Sequence, residues 1–582
     1  MLRLLALCLG CHLGGAPSGP PLPPLSLDGA WRSEGALLAL PLTSERAPFT
    51  VERTLRLPGD WRRNQPALLR LDTAGWRVTA WVNGELADSA TGGLLPMTLS
   101  LGSGLRAGEN SLQLRFDPPS SDNVLEGVDA RPLAQWTGNT PKPGRVMAQG
   151  GITIEFPREV SVGALSVALD GGRLTATATG SAPDGTPVGF EVVRDGEVLA
   201  SLPDAAMMGG VASSSLPWSG ARWSLGEPSL QLLVARLEGG QGRQLRFGAR
   251  DLERAGGKLL INEREQYIAA LRYESNEAAS RGKIFRQLSV MVQSGANAVE
   301  IHGAAPDLLL QVADELGLMV VETPRCDGQI RVDGPLQVSE QWTEYVAAAA
   351  RRTVAVRERH PSLVLRTLEG PFKEPLLDAA YYDGAVPTLS GAGDIGGLVE
   401  GEVEQAVAAG MPPYLHELPW PLDAAHRDIA GRLEPLLVAH RTSGLGLVLP
   451  QVHNMGLKRH LSASALAAER AALASMLARH DVTVARIEGR EGPATVEVTA
   501  LRGGAPAVGV PLMLRVPAQL ASGAFTDEQG KATIIVDYAG EATLSALDAS
   551  DGVNLTLRRG IYSERRWKAY TSKVTLELSD AP

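Results

Sequence analysis

The sequence predicts a multidomain protein: two all-β sandwiches, a parallel α/β unit the size of an eight-stranded barrel, and a third β-sandwich. Three observations predict this. The 582 residues exceed one domain at roughly 100–200 residues apiece. Short runs of period-two alternation fill residues 27–250 and return over 483–582. Between them, from 258 onward, strand-like runs alternate with helical ones, the pattern of a parallel sheet with crossover helices. A hydrophobic fraction of 44% with 21% charged residues is ordinary for a globular chain and excludes wholesale disorder. The formal charge of −10 with no basic tract argues against a nucleic-acid partner, because phosphate neutralisation supplies most of that affinity.

The N-terminus reads as an address rather than as structure. Arg3 precedes an apolar run and small residues, a secretory-signal pattern over residues 1–16 that is too short to span a membrane. Gly10-Cys11 resembles a bacterial lipoprotein processing site, although Cys8 stands where that motif usually has Leu. The expected location is therefore outside the cytoplasm: periplasmic, secreted, or on the cell surface through lipid on Cys11. Pro17–Pro24 follows as a stiff tether. Cys326 is the one cysteine of the folded body, so no intrachain disulfide is expected there, and it reads as a small buried residue rather than a nucleophile.

In the first sandwich, Phe49–Leu57 alternates, Val78–Val82 leads into the hairpin signal Asn83-Gly84, and Asn110–Phe116 alternates again. Residues 119–150 are rich in Pro, Gly, Ser and Asp and read as a long loop. Ile152–Phe156, Leu174–Ala178, Gly189–Val193 and Leu230–Arg236 predict a second sandwich over 151–252, about the size of an immunoglobulin-like domain. In the α/β unit, 255–482, strands are expected at Ile268–Tyr273, Ala298–Ile301, Met319–Val321, Leu363–Leu368, Ala385–Leu389, Tyr414–Glu417 and Leu445–Leu449. Helices are expected at Lys283–Ser294, Pro306–Leu316, Glu340–Arg359 and Ser462–Arg479. The sixth strand has no clear signal. Ala494–Thr499, Val510–Val516, Lys531–Val536 and Ala542–Ala546 predict the last sandwich, 483–582.

Particular residues make this order specific. Phe49-Thr-Val-Glu-Arg-Thr-Leu, Gly59-Asp-Trp61, Ala80-Trp-Val-Asn-Gly84 and Gly108-Glu-Asn-Ser-Leu112 resemble the sugar-binding jelly roll of glycoside hydrolase family 2, which includes β-galactosidases, β-glucuronidases and β-mannosidases. Trp223–Leu230 and Phe247–Leu252 resemble the close of that family's immunoglobulin-like domain. Leu259-Leu-Ile-Asn262, Ser294–Val299, Ala313–Val321 and Arg359-His-Pro-Ser-Leu-Val364 resemble segments of its (β/α)8 TIM barrel, and the matches run in order over 27–455. The resemblance implies a jelly-roll domain at 25–150, a carbohydrate partner and no cofactor. Gly509-Val-Pro-Leu and Thr526–Thr533 resemble bacterial immunoglobulin-like modules, which the family does not require.

A retaining glycosidase needs two carboxyl groups about 5–5.5 Å apart, a nucleophile and an acid/base. In a barrel they sit where strands end at the carboxyl face. The resemblance places the nucleophile at Glu417, which ends Pro413-Tyr-Leu-His-Glu417; the alternative is a leftover loop carboxylate. It places the acid/base after strand 4, where the family has Asn-Glu, but this sequence has Gly370-Pro371, and proline cannot transfer a proton. Glu369 and Glu374 are the candidate substitutes. His302, Trp420, His453 and Asn454 are the candidate substrate-binding residues. No zinc-type spacing, phosphate-binding loop, dinucleotide fingerprint or Gly-x-Ser-x-Gly elbow occurs, so no metal is expected either. Two readings remain: an exported β-glycosidase with an unusual acid, or a catalytically inactive relative that binds carbohydrate or serves as a surface scaffold, with its last sandwich as a spacer or adhesin-like module.

Overall fold

The computed structural model describes residues 22–39, 42–44, 48–61, 65–74, 77–91, 97–117, 146–255, 258–273, 280–302, 306–323, 359–368, 388–390, 395–397, 415–417, 430–431, 434–435, 437–438, 446–449, 463–483, 485–547, 552–563 and 566–578. The first sandwich is built on β1 (Leu25–Ser26), β2 (Phe49–Leu57), β3 (Leu68–Ala74), β4 (Arg77–Val82), β5 (Gly108–Asp117) and β6 (Val146–Glu155). β5 lies antiparallel between β2 and β4, and β6 lies antiparallel between β1 and β3. Every second residue of β2 faces inward, so that Phe49, Val51, Leu55 and Leu57 share a core with Trp31, Leu112, Leu114 and Phe116. Arg53 breaks this apolar row although it is fully buried. The expected hairpin forms at Asn83-Gly84, both with positive φ (53° and 83°), the conformation that selects Asn and Gly in a two-residue turn.

One boundary moves. Ile152–Phe156, expected to open the second sandwich, closes the first: β6 pairs with β3, and Ile152, Ile154 and Phe156 are buried in the first core. Alternation alone cannot assign a strand to one of two adjacent sandwiches, because both demand the same period. The second sandwich therefore begins after Phe156, with strands that include β7 (Gln231–Leu237) and β8 (Arg243–Phe247) around Trp218, Phe190 and Leu233.

The next unit carries eight parallel strands: β9 (Ile268–Tyr273), β10 (Ala298–His302), β11 (Met319–Thr323), β12 (Leu363–Leu368), β13 (Thr388–Ser390), β14 (Ile395–Gly397), β15 (Leu415–Glu417) and β16 (Gly446–Leu449). Their hydrogen-bonded order is β13-β12-β11-β10-β9-β16-β15-β14. Each strand lies beside its neighbour in sequence, and the first pairs with the last, as in a ring cut between the fifth and sixth strands. The sixth, β14, is the strand without a sequence signal; Ile395-Gly-Gly is too short and too glycine-rich to show a period. Helix α1 (Arg281–Gln293) buries Ile284, Phe285, Leu288, Met291 and Val292, one helical face. The Ser280 side chain caps it by accepting from the Lys283 amide. Ser280→Ala should lower stability by about 1 kcal/mol, read as a shift of the urea midpoint at constant slope. Helix α2 (Asp307–Leu316) ends at Gly317, whose φ of +65° and 2.8 Å approach of a would-be Cβ to the Gly226 amide require glycine. Helix α3 spans Ala463–Arg479. Of the helix expected at 340–359, only Arg359 lies within the described residues, in a turn.

The last sandwich contains β17 (Ala494–Arg502), β18 (Pro511–Arg515), β19 (Ser522–Phe525), β20 (Lys531–Val536) and β21 (Gly540–Ala546) around Val496, Val498, Leu512, Leu514, Ile534 and Leu544. It is not a free spacer. β19 pairs in parallel with β1, so that one sheet runs from the last sandwich through the N-terminal strand into the first.

Candidate functional site

In parallel α/β folds, ligands meet the carboxyl ends of the strands. The backbone pairing places the candidates on a common frame. Glu417 is the last residue of β15 and stands opposite Val448, which stands opposite Ala270, which stands opposite Ala298. Two residues further along β9 and β10, Arg272 stands opposite Glu300. His302 ends β10, opposite Thr323. Glu417 and His302 are each the last residue of their strand, and by backbone register His302 lies four residues beyond the row that holds Glu417. Glu369, Glu374, Trp420, His453 and Asn454 lie outside the described residues, as do Gly370, Pro371 and Cys326.

The structure adds two charged pairs at these ends that pattern reading missed. Arg272 Nε donates to Glu300 Oε2 at 3.0 Å, and the Glu300 side chain is only 3% exposed. Arg366 Nε lies 3.5 Å from Glu322 Oε2, and both side chains are fully buried. A signal existed: each charge interrupts an apolar strand, in Ile268-Ala-Ala-Leu-Arg272, Ala298-Val-Glu300-Ile, Met319-Val-Val-Glu322 and Leu363-Val-Leu-Arg366. A charge in such a strand must meet an opposite one or remain exposed. A neighbouring guanidinium favours the ionised carboxylate, which accepts protons rather than donating them. Glu300 and Glu322 therefore tie neighbouring strands together, β9 to β10 and β11 to β12.

At the opposite end of β12, His360 is buried between two helix-borne carboxylates. Its Nδ1 lies 2.6 Å from Asp314 Oδ2 and its Nε2 lies 3.0 Å from Asp307 Oδ1. Burial opposes the imidazolium, but the two aspartates outweigh it and raise the His360 pKa above 6.5. Burial likewise pushes Asp307 up, and Arg359 and His360 together more than reverse this and hold it well below the usual carboxylate range. Being at the amino end of the strand, this cluster is structural. Cavities of about 280 and 400 Å³ lie at domain seams rather than at the strand ends. Among their charged side chains, Arg559 pairs with Asp195 and Arg70 with Glu155.

This arrangement of two sandwiches and a ring-ordered parallel unit invites comparison with solved structures. A β-glucuronidase from Ruminococcus gnavus matches with a TM-score of 0.56 at 16% identity, over 75% of this chain and 93% of that one. The fold is shared. Lactobacillus rhamnosus β-glucuronidase (TM-score 0.56, 16% identity, 75% and 91% covered) resembles it equally. So does a family 2 β-galacturonidase from Eisenbergiella tayi (0.56, 16%, 74% and 89%). No protein-family model matches the sequence, and no curated protein matches it significantly. The chain therefore shares a multidomain, β-rich fold with these structures at 16% identity.

Proposed function

We propose that this protein binds a β-linked glycoside at the carboxyl ends of its parallel strands, closed into an eight-stranded barrel, with Glu417 retained as a nucleophile and the acid/base lost. The observation that carries this reading is the position of Glu417. It is the terminal residue of the seventh strand, in the backbone row of Ala270 and Ala298, two residues short of the row of Arg272 and Glu300. Against it stands Gly370-Pro371 where the resemblance calls for Asn-Glu. A protein so equipped cleaves only glycosides whose leaving group departs without a proton, and holds others as a lectin would. Glu369 and Glu374 are the groups that would restore full double displacement; His302, Trp420, His453 and Asn454 are the contacts to sugar. The export reading completes the proposal: residues 1–16 direct the chain out of the cytoplasm, and Cys11 carries lipid if it is processed as a lipoprotein.

The test is intact mass after exposure to 2-fluoro glycosides with dinitrophenyl leaving groups, in the gluco, galacto, manno and glucurono series. The Glu417 carboxylate attacks C1, an ester bond forms, and dinitrophenolate leaves with the bonding pair, with no proton transfer needed. The expected result is a stoichiometric adduct in one series, absent in Glu417→Gln. No adduct in any series, with binding of the parent sugar intact, establishes the non-catalytic reading.

A further inference from the structure

We propose that residues 489–582 are a built-in docking partner that holds the other three units together, and that they stay docked when the covalent connection is cut. The seam begins as strand addition: β19 extends the first sandwich's sheet by pairing Gly523 and Ala524 with Leu25 and Ser26, and main-chain bonding of this kind is a general mode of peptide capture. Buried groups surround it. The Arg53 guanidinium donates to the carbonyls of Leu27 and Phe525, one on each side of the seam. Burial pulls that guanidinium down to about 10, and Asp527, Asp28 and Glu528 keep it cationic at neutral pH. Asp527 Oδ2 accepts from the Ala30 amide at 3.0 Å, Glu528 Oε1 from the Thr54 amide at 2.9 Å, and the Gly509 carbonyl from the Arg56 amide at 2.7 Å. A Cβ on Gly509 would lie 2.7 Å from the Thr54 carbonyl, a closeness that glycine alone permits.

The same domain grips the other two units. Arg236 Nη2 of the second sandwich donates to the Ala518 carbonyl at 2.7 Å, and Gln244 Oε1 accepts from the Leu520 amide at 2.9 Å. Arg559 pairs with Asp195 at 2.7 Å. In the parallel unit, the Tyr562 hydroxyl donates to Glu315 on α2, and the Trp567 ring lies 5.6 Å from the Arg281 guanidinium on α1. Helices α1 and α2 flank β10, which carries Glu300 and ends at His302. The docked domain therefore fixes two of the crossovers that hold the proposed binding edge in place. A surface that meets three units through buried charge and paired backbone is an interface, not a tether.

The experiment uses the full chain with a protease recognition sequence inserted between Glu488 and Gly489, both exposed. After complete cleavage, the nicked protein is expected to elute as one species at the uncut volume and to unfold in one transition. Elution of the small fragment by itself in the same buffer overturns the proposal. Hydrogen exchange on the unmodified chain gives a second readout free of the insertion. The Ala30, Thr54 and Arg56 amides, whose acceptors come from the docked domain, are expected to exchange at least 100-fold more slowly than unprotected amides (about 3 kcal/mol of opening free energy). Exchange at the unprotected rate overturns it.

Discussion

Glu315→Ala is expected to lower the unfolding free energy by about 3–5 kcal/mol, the usual consequence of removing one partner from a buried ion pair. Its side chain is 1% exposed and accepts from three donors drawn from three units: Arg246 Nη2 at 2.9 Å, Arg281 Nη1, and the Tyr562 hydroxyl. Without it, Arg246 keeps Asp537 at 2.8 Å, while Arg281 keeps the Tyr562 hydroxyl oxygen at 3.0 Å, the Gln311 side-chain oxygen at 3.3 Å and the face of Trp567, none of them a charge. Tyr562→Phe removes one donor and leaves the ion pairs, so a smaller loss of about 1–2 kcal/mol is expected. Urea unfolding with a constant slope checks both. A loss below 1 kcal/mol in Glu315→Ala would mean that water replaces the carboxylate and that this junction is not dry.

The second large effect is a pH slope. Asp72, on β3, meets the parallel unit, where burial raises its carboxyl to about 7. The negative charge of Asp307 adds to the rise, the Gly151 amide at 2.6 Å opposes it, Asp28 adds slightly, and Arg359 opposes it. An acid whose folded pKa exceeds its unfolded value favours the fold fully below the unfolded pKa of 3.8, and the benefit disappears as pH rises to about 7. The slope is roughly 1.4 kcal/mol per pH unit, or up to about 4 kcal/mol across the window. His360 adds in the same sense at higher pH: its stabilisation is whole below 6.5 and is lost as pH rises through its raised folded value. Asp307 works oppositely, losing its contribution as pH falls through its depressed value. Asp72→Asn keeps an acceptor for Gly151 and is expected to flatten the decline between pH 4 and 7 in denaturant midpoints. Parallel curves for the two proteins would show that Asp72 is hydrated.

What was legible in the sequence follows what periodicity can encode. Ile268–Tyr273 and Leu363–Leu368 lie where their apolar runs predicted, because strands buried on both faces are continuous apolar segments bounded by polar ones. Ala463–Arg479 matched within one residue because an alanine-rich run has few alternatives to a helix. The three-residue strand Ile395–Gly397 escaped, since its identity comes from its neighbour. The assignment of β6 escaped because it is a tertiary choice between two cores. At the candidate site, Glu417 and His302 were readable as polar ends of apolar strands. Arg272, Glu300, Glu322 and Arg366 were not, because each explains itself only beside its partner on another strand.

The pairing of β1 with β19 also orders events in time. Ala30 is bonded to Asp527, 497 residues downstream, so its pairing waits until that residue has been synthesised. At about 5–20 residues per second, that delay is roughly 25–100 s. During it, Leu25–Ala30 has no native neighbour on one side, and the first sandwich cannot finish its sheet while synthesis continues. The cost of closing one sheet with strands so far apart along the chain is thus a wait, in which Leu25, Ser26 and Ala30 lack the partners that Gly523, Ala524 and Asp527 later supply.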